Sequence, residues 1–329
     1  MKRACEEPRG TKYPDESDIR AAARRIDGRV QRTPLRPSTW LSERAAADVR
    51  LKLEVLQPTF SYKARGALNA VLRLAEEYGA SGPPLVTASA GNHGRALAWA
   101  AAAAGMSLTV YAPRHAPRSK LEAIRAAGAD LRPCADYDEA EQRAKEHAAL
   151  GEALFVSPYN HPDVIAGAGT VALEIHEDWP DVDTIVVPIG GGGLISGIAI
   201  ANRHLSTSSQ VVGVEAAASS PFTHSLAAGH IVEIDVAPTL ADGLAGNLDP
   251  EAITFEIVRR FVSRIVIVSE ADLRSAIAGI VASERLIAEG AGAAGVAAVL
   301  GEALELTGHH AAIVLSGANI DTDTLKALL

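Results

Sequence analysis

The run Gly190-Gly191-Gly192-Gly193 comes right after an apolar strand ending at Pro188, with only Ile189 between, and directly precedes the helical stretch Leu194 to Ala201. A glycine inside a helix or strand costs roughly 1 kcal/mol, so four in succession need a compensating reason. Without side chains they let main-chain N–H groups converge on an anion at a helix N-terminus, where the macrodipole favours negative charge. A phosphate is the natural guest, with an ordinary tight turn as the alternative. Thr87-Ala88-Ser89-Ala90-Gly91-Asn92-His93-Gly94 is a second strand end opening a helix, with hydroxyl, amide and imidazole groups around small residues. It too could receive an anion, or Ser89 or Asn92 could simply cap the helix. A third segment, Gln57-Pro58-Thr59-Phe60-Ser61-Tyr62-Lys63-Ala64-Arg65-Gly66-Ala67, sets one amine, Lys63, among hydroxyl and aromatic side chains at another helix start. Most lysines are only solvated, so Lys63 gains meaning from its company rather than alone.

Which phosphate is a question of spacing. A dinucleotide fingerprint needs glycines at positions one, three and six, but the sixth position is Ile195 counted from Gly190 and Ser196 counted from Gly191. Glu215 does end the next strand, as a ribose-binding acid would, so a nicotinamide-dinucleotide protein remains as a rival class. No Gly-Lys-Ser or Gly-Lys-Thr follows, which makes a P-loop a weaker rival still. His115, His161, His176, His204, His224, His230, His309 and His310 show no ligand spacing, so surface or capping roles are expected of them.

The elements that must position these groups alternate along 329 residues, a length that suggests about two domains. A helix is expected from Ser17 or Asp18 to Gly28, and Thr33-Pro34-Leu35 forces an extended segment. A strand is expected over Val49 to Val55, then a helix over Ala64 to Glu77. Strand and helix alternate again through Leu85–Ala88, 91–104, 107–112 and 119–127, and later strands are expected at 183–188, 210–215, 265–268 and 311–315. This order implies buried parallel sheets with helices on both faces.

Composition bounds the partners. With 31 basic and 40 acidic side chains the net charge is −9, which argues against nucleic acid. Two cysteines, Cys5 and Cys134, allow neither a disulfide framework nor a paired-cysteine metal site, and both are expected to be inert in a reducing cytoplasm. Met1 through Asp15 is charged and lacks a signal-peptide core, so it is expected to be a solvated tail. The uncharged stretches 96–113 and 184–202 are broken by glycines and suit a folded core better than a membrane.

In this order the segments resemble the fold-type II pyridoxal-phosphate enzymes, in the serine/threonine dehydratase and serine racemase branch. The likeness runs from about Ile19 to Leu328. It includes Asp163-Val164-Ile165-Ala166-Gly167-Ala168-Gly169-Thr170, Ala241-Asp242-Gly243-Leu244, Glu289-Gly290-Ala291-Gly292-Ala293 and Ser316-Gly317-Ala318-Asn319. The resemblance implies an α/β chain with two open, mostly parallel twisted sheets flanked by helices, as in the tryptophan synthase β-subunit. Residues 1–78 and 158–329 would form a large cofactor-binding domain, and 79–157 a small domain closing over the substrate. Lys63 would bind the pyridoxal 5'-phosphate aldehyde covalently, as the lysine of the family's Ser-Phe-Lys-x-Arg-Gly-Ala motif. Gly190, Gly191, Gly192, Gly193 and Leu194 would hold its phosphate through main-chain N–H groups. Asn92 would meet the ring 3'-oxygen, Ser316 the pyridine nitrogen, and Gly243 and Glu289 would lie beside the cofactor. Ser61, Ser89, Gly91 and His93 would hold the substrate carboxylate, with Tyr159 bearing on selectivity.

A neutral hydroxyl at the pyridine nitrogen leaves the ring a weaker electron sink, which suits β-elimination. The implied reaction is dehydration and deamination of a 3-hydroxy amino acid, foremost L-threonine or L-serine, to a 2-oxo acid and ammonia. A homodimer is also implied. Departures from the pattern bear on substrate. Ala90 replaces the second serine that racemases of this branch use as acid and base, so dehydration is favoured over racemisation. Phe60-Ser61-Tyr62 replaces Gly-Ser-Phe before the lysine, and Ala168 replaces a frequent glutamine. Glu215, Ser219 and Pro221 fall where some relatives bind a divalent cation, but the second carboxylate is missing, so no metal is expected. Glu289 could tune the cofactor or cap the helix beginning near Gly290. The chain stops at Leu329, just after the Ser316 motif, so no regulatory C-terminal domain is expected. The 284–292 run and Thr33-Pro34-Leu35 also resemble the dehydratase of hydroxyectoine degradation, which leaves a hydroxylated diamino acid or a 3-hydroxyaspartate-type substrate as the alternative.

Overall fold

A computed structural model describes residues 13–79, 82–206 and 208–329. Cys5 and most of the N-terminal tail lie outside the described residues. Ten strands follow in chain order: β1 (Leu35–Pro37), β2 (Asp48–Lys52), β3 (Leu85–Ala88), β4 (Leu108–Pro113), β5 (Asp130–Cys134), β6 (Leu154–Phe155), β7 (Thr184–Pro188), β8 (Gln210–Ala216), β9 (Arg264–Val268) and β10 (His310–Val314). They form a six-stranded sheet, β1-β2-β10-β7-β8-β9, and a four-stranded sheet, β5-β4-β3-β6. Every pairing is parallel except β1 with β2.

The apolar run Thr-Ile-Val-Val-Pro of β7 is buried along its whole length, as a central parallel strand covered on both faces must be. One cluster, around Ile165, Val187, Ile195 and Ile198, covers one side of the large sheet. Another, around Leu51, Val186, Val296 and Ile313, covers the other. Burying each such side chain contributes about 1.5–3 kcal/mol. Helices Lys63–Tyr78 and Pro162–Asp178 approach so closely that a β-carbon on Gly66 would stand 2.5 Å from the Val164 carbonyl oxygen. Gly167 is as constrained from the other side, with the Arg65 carbonyl oxygen 2.7 Å from its would-be β-carbon. The lysine-bearing helix is thus fixed by backbone contact.

Both sheets reverse their strand order at one place. In the large sheet the reversal lies between β7 and β10, and in the small one between β3 and β6. Ligands of open α/β sheets bind outside the carboxyl ends of the strands at such points. The segments leaving those four strands are Gly190–Gly193, Ser316–Asn319, Ser89–Asn92 and Pro158–Tyr159.

Several boundaries differ from expectation for physical reasons. The first helix is Glu16–Ile26, capped by Asp15 rather than Ser17 or Asp18. The Asp15 carboxylate accepts from the Asp18 N–H while the Asp18 carboxylate accepts from the Asp15 N–H, a capping box. The strand expected to reach Val55 ends at Lys52, because the chain turns into a 3-10 segment, Glu54–Leu56, that carries Glu54 into a buried ion cluster. β5 and β6 were not anticipated: β5 is largely exposed and contains Pro133, and β6 has two residues. His176 is buried against Asn202 rather than at the surface.

Candidate functional site

Lys63 opens its helix, which no side chain caps. Its Nζ donates to the Pro158 carbonyl oxygen at 2.7 Å and lies 5.0 Å from the centre of the Tyr62 ring. The preceding residues are pinned to the exit of β10: the Tyr62 N–H donates to the Ser316 carbonyl at 2.9 Å, the Ala318 N–H donates to the Phe60 carbonyl at 2.9 Å, and Ser61 bridges Gly317. The Ser61 and Thr59 hydroxyls are buried with no hydrogen-bond partner among the described residues.

At the exit of β7, Gly190–Gly193 leads into helix Gly193–Leu205, again uncapped by any side chain. Gly192 has φ +86°, a conformation that suits glycine. A β-carbon on Gly191 would stand 2.3 Å from the Tyr159 ring, and on Gly192 2.5 Å from Phe222 Cζ. Close packing therefore demands glycine here. Leu194 is buried as the next residue of the helix, and the Ser196 hydroxyl in the same first turn is buried with no partner among the described residues.

At the exit of β3, Gly91 precedes the uncapped helix Asn92–Ala104, and its N–H donates to the Ser89 hydroxyl at 3.2 Å. His93 is buried, and burial pushes its pKa down to about 3, so the ring is neutral. Nε2 lies 3.1 Å from the Val156 carbonyl oxygen, which places the single ring proton there. Any contact of His93 with a carboxylate would accordingly use its main-chain N–H.

Glu289 sits at the start of helix Gly290–Leu300, but its side chain does not cap that helix. Oε1 instead accepts from Asn92 Nδ2 at 2.5 Å. Burial raises the Glu289 pKa to about 7, with the Asn92 hydrogen bond opposing the shift. A β-carbon on Gly317 would stand 2.1 Å from Glu289 Oε1, so this contact exists because residue 317 has no side chain. Gly243 has Ala291 Cβ 3.1 Å from its would-be β-carbon, and Gly190 faces the Leu244 backbone.

These contacts close a ring: Lys63 to Pro158, Tyr159 to Gly191, Gly190 to Leu244, Gly243 to Ala291, Glu289 to Gly317 and Asn92, and Gly317 to Ser61. All the residues singled out from the sequence for the cofactor and substrate lie on it or on the segments joining it. Tyr159 also accepts from the Asp249 N–H at 2.8 Å, and burial raises its pKa to about 12. Two ion pairs, Lys120–Asp242 and Lys145–Asp249, tie helices Arg118–Ala126 and Tyr137–Ala149 of the four-stranded side to the 242–249 segment.

Sequence reasoning gave no role to Pro158, Thr59, Arg95, Ser196 or Asn319, although Asn319 ends a motif it singled out. Glu215 is spent elsewhere: its carboxylate accepts from the Phe222 and Thr223 N–H groups at 2.8 and 2.9 Å and from the Thr223 hydroxyl. It satisfies first-turn N–H groups of helix Pro221–Ala228. Among the described residues, no group of three or more His, Cys, Asp or Glu side chains could hold a metal. None of the described helices is long and apolar enough to cross a membrane.

Residues 26–317 match the family described as pyridoxal-phosphate dependent enzymes. The L-threonine ammonia-lyase of Thermotoga maritima is 42% identical over 313 residues, covering 95% of this chain and 77% of that protein. The beta-hydroxyaspartate dehydratase of Paracoccus denitrificans is 35% identical over 314 residues, covering 95% of this chain and 98% of its own. The structure of maize serine racemase superimposes with a TM-score of 0.88 at 32% identity, covering 95% of this chain and 97% of the other.

Proposed function

Because the chain belongs to the family of pyridoxal-phosphate dependent enzymes, we propose that it is an ammonia-lyase that dehydrates a 3-hydroxy amino acid, foremost L-threonine or L-serine, to a 2-oxo acid and ammonia. The observation that carries this reading is the Lys63 amine, held by a main-chain carbonyl rather than a carboxylate, within a ring of three side-chain-uncapped helix starts and a glycine cradle. The residues suit the cofactor: Gly190–Gly193 offers main-chain N–H groups to a phosphate, and the buried Ser196, Ser61 and Thr59 hydroxyls await partners.

When bound, pyridoxal phosphate supplies an electron sink that stabilises negative charge at the substrate α-carbon. Lys63 anchors it and its amine then takes the α-proton. Main-chain N–H groups of the 91–93 turn and the Ser61 and Ser89 hydroxyls hold the substrate carboxylate. Asn92 offers an N–H to the ring oxygen, and the Ser316 hydroxyl meets the pyridine nitrogen without carrying charge. Tyr159 borders the substrate. Residues 79–157 close over it as a small domain against 1–78 and 158–329, with Lys120–Asp242 and Lys145–Asp249 as closing contacts. A homodimer in the cytoplasm completes the reading. The named Paracoccus relative supports 3-hydroxyaspartate as the second substrate class.

The purified protein supplied with pyridoxal phosphate is expected to develop a visible absorption band, and borohydride followed by peptide mass analysis should find the label on Lys63. Ammonia release is then compared across serine, threonine, 3-hydroxyaspartate and hydroxylated diaminobutyrate. Lys63→Ala should lose about 10³-fold or more of turnover. A colourless, inactive protein, or an unimpaired Lys63→Ala, overturns the reading.

A further inference from the structure

Asn92 is one link in a chain of side chains that reaches the surface of the site. Arg95 Nη1 donates to Asn319 Oδ1 at 2.8 Å, Asn319 Nδ2 donates to Asn92 Oδ1 at 2.6 Å, and Asn92 Nδ2 donates to Glu289 Oε1 at 2.5 Å. Asn319 Nδ2 spends its other hydrogen on the Thr59 carbonyl oxygen at 3.0 Å. An amide side chain can be turned end for end at little steric cost, so its hydrogen-bond partners decide which end faces where. A guanidinium only donates and a carbonyl oxygen only accepts. Asn319 therefore has one orientation: its oxygen toward Arg95 and its nitrogen toward Thr59 and Asn92. That in turn obliges Asn92 to present its oxygen to Asn319 and its nitrogen to Glu289. One Asn92 hydrogen is left uncommitted among the described residues.

Arg95 is itself held in place. Its guanidinium lies 5.1 Å from the centre of the Phe60 ring, and Phe60 adopts φ +59°. A bulky residue leaves the usual regions of backbone space only where its surroundings over-determine it. Phe60 is also joined through its carbonyl to Ala318, next to Asn319. Two independent contacts thus converge on the same short segment.

We propose that Asn319, held by Arg95 and the Thr59 carbonyl, is a positioning residue that fixes the amide of Asn92 so that an N–H, never the carbonyl, faces the cofactor's ring oxygen. The assignment rests on the reading of the site given above, in which Asn92 meets that oxygen. It deepens that reading by naming what sets the polarity of the contact. Arg95 and Asn319 touch neither cofactor nor substrate in this account and act through Asn92 alone. Glu289 closes the chain at the far end as an acceptor.

The test is a double-substitution cycle read by cofactor affinity and spectrum. Asn319→Asp keeps the shape but replaces both donated hydrogens with a carboxylate set against Asn92 Oδ1, which opposes the hold of Glu289 on Asn92 Nδ2 and drives the amide to turn its carbonyl toward the ring oxygen. The dissociation constant for pyridoxal phosphate, measured by equilibrium dialysis, should rise about tenfold or more, and the visible band of the bound cofactor should shift. Arg95→Glu, at a partly exposed position, should act in the same direction because it sets an acceptor against Asn319 Oδ1, whereas Arg95→Lys retains a donor and should preserve both readouts. In an Asn92→Ala background Asn319→Asp should change neither quantity further, since its effect travels only through Asn92. Unaltered affinity and spectrum in Asn319→Asp and Arg95→Glu, or the same loss with and without Asn92, overturn the inference. A wild-type protein that takes up no pyridoxal phosphate overturns the underlying reading instead, so the two failures are separable.

Discussion

Arg65 lies two residues beyond Lys63 and is 1% exposed. It grips Glu54 with two hydrogen bonds of 2.7 and 2.8 Å and Glu174 with two of 2.6 and 2.8 Å, while Lys52 reaches Glu174 at 2.6 Å. Two cations balance two carboxylates, all well removed from water. Arg65→Met leaves Glu54 with only the Thr33 hydroxyl and the Gln57 amide at hand. Stripping one partner from a buried pair costs about 3–5 kcal/mol, a large share of the roughly 5–15 kcal/mol that holds a domain folded. The melting temperature should fall by on the order of 10 °C. The sign of the pH dependence follows from Glu54. Burial pushes its carboxyl up, but Arg65, first by charge and then by hydrogen bonding, brings the folded-state pKa below the ordinary value. In the intact protein that stabilisation is present above the unfolded pKa and fades as pH falls through the folded one. Without Arg65 the burial penalty has less to oppose it, and it too fades on acidification. The gap between variant and parent should hence be widest at pH 8 and narrow toward pH 5. Thermal unfolding followed by circular dichroism at both pH values measures it. Arg65→Met/Glu54→Gln, which removes the stranded charge, should be more stable than Arg65→Met alone. A pH-independent gap, or a double variant no better than the single, refutes this account of the cluster.

Gly192→Ala meets both a left-handed backbone and Phe222 2.5 Å from the new β-carbon, so a loss of about 1–3 kcal/mol and weaker pyridoxal phosphate binding are expected from melting curves and dialysis. Glu289, with its pKa raised to about 7 by burial, contributes stability that is fully present below the unfolded pKa and disappears as pH rises through neutrality. The cofactor-free protein should accordingly lose on the order of 3 kcal/mol between pH 5 and pH 8, and Glu289→Gln should remove that slope in denaturant titrations. A slope that persists in the glutamine variant would mean that another group titrates.

The parts of the site legible in the sequence are those where chemistry narrows the choice of residue along a short stretch. Four glycines between a strand and a helix, or a lysine among hydroxyls at a helix start, are local and improbable without a use. The contacts that a sequence hides are those between residues far apart along it. Arg95 and Asn92 meet Asn319 across more than two hundred residues, and Glu174 meets Arg65 across about a hundred. Helical periodicity gives no hint that Glu54 will be drawn inward, which is why β2 was expected to run too far. β5 and β6 carry little apolar alternation, because an exposed edge strand and a two-residue strand bury too little to leave a pattern.

The four-stranded sheet hangs from the chain by adjacent strands, since its first, β3, and its last, β6, lie side by side with Leu85 paired to Leu154. Its point of departure and its point of return are therefore neighbours in space, and no strand of the larger sheet pairs with it. The lobe is nevertheless not separable from the scaffold that carries the lysine: Leu68 and Val71 of helix Lys63–Tyr78 share one core with Leu85, Leu97 and Val110 of the lobe, so a shift of the small sheet bears on that helix through side-chain packing rather than through the ladder.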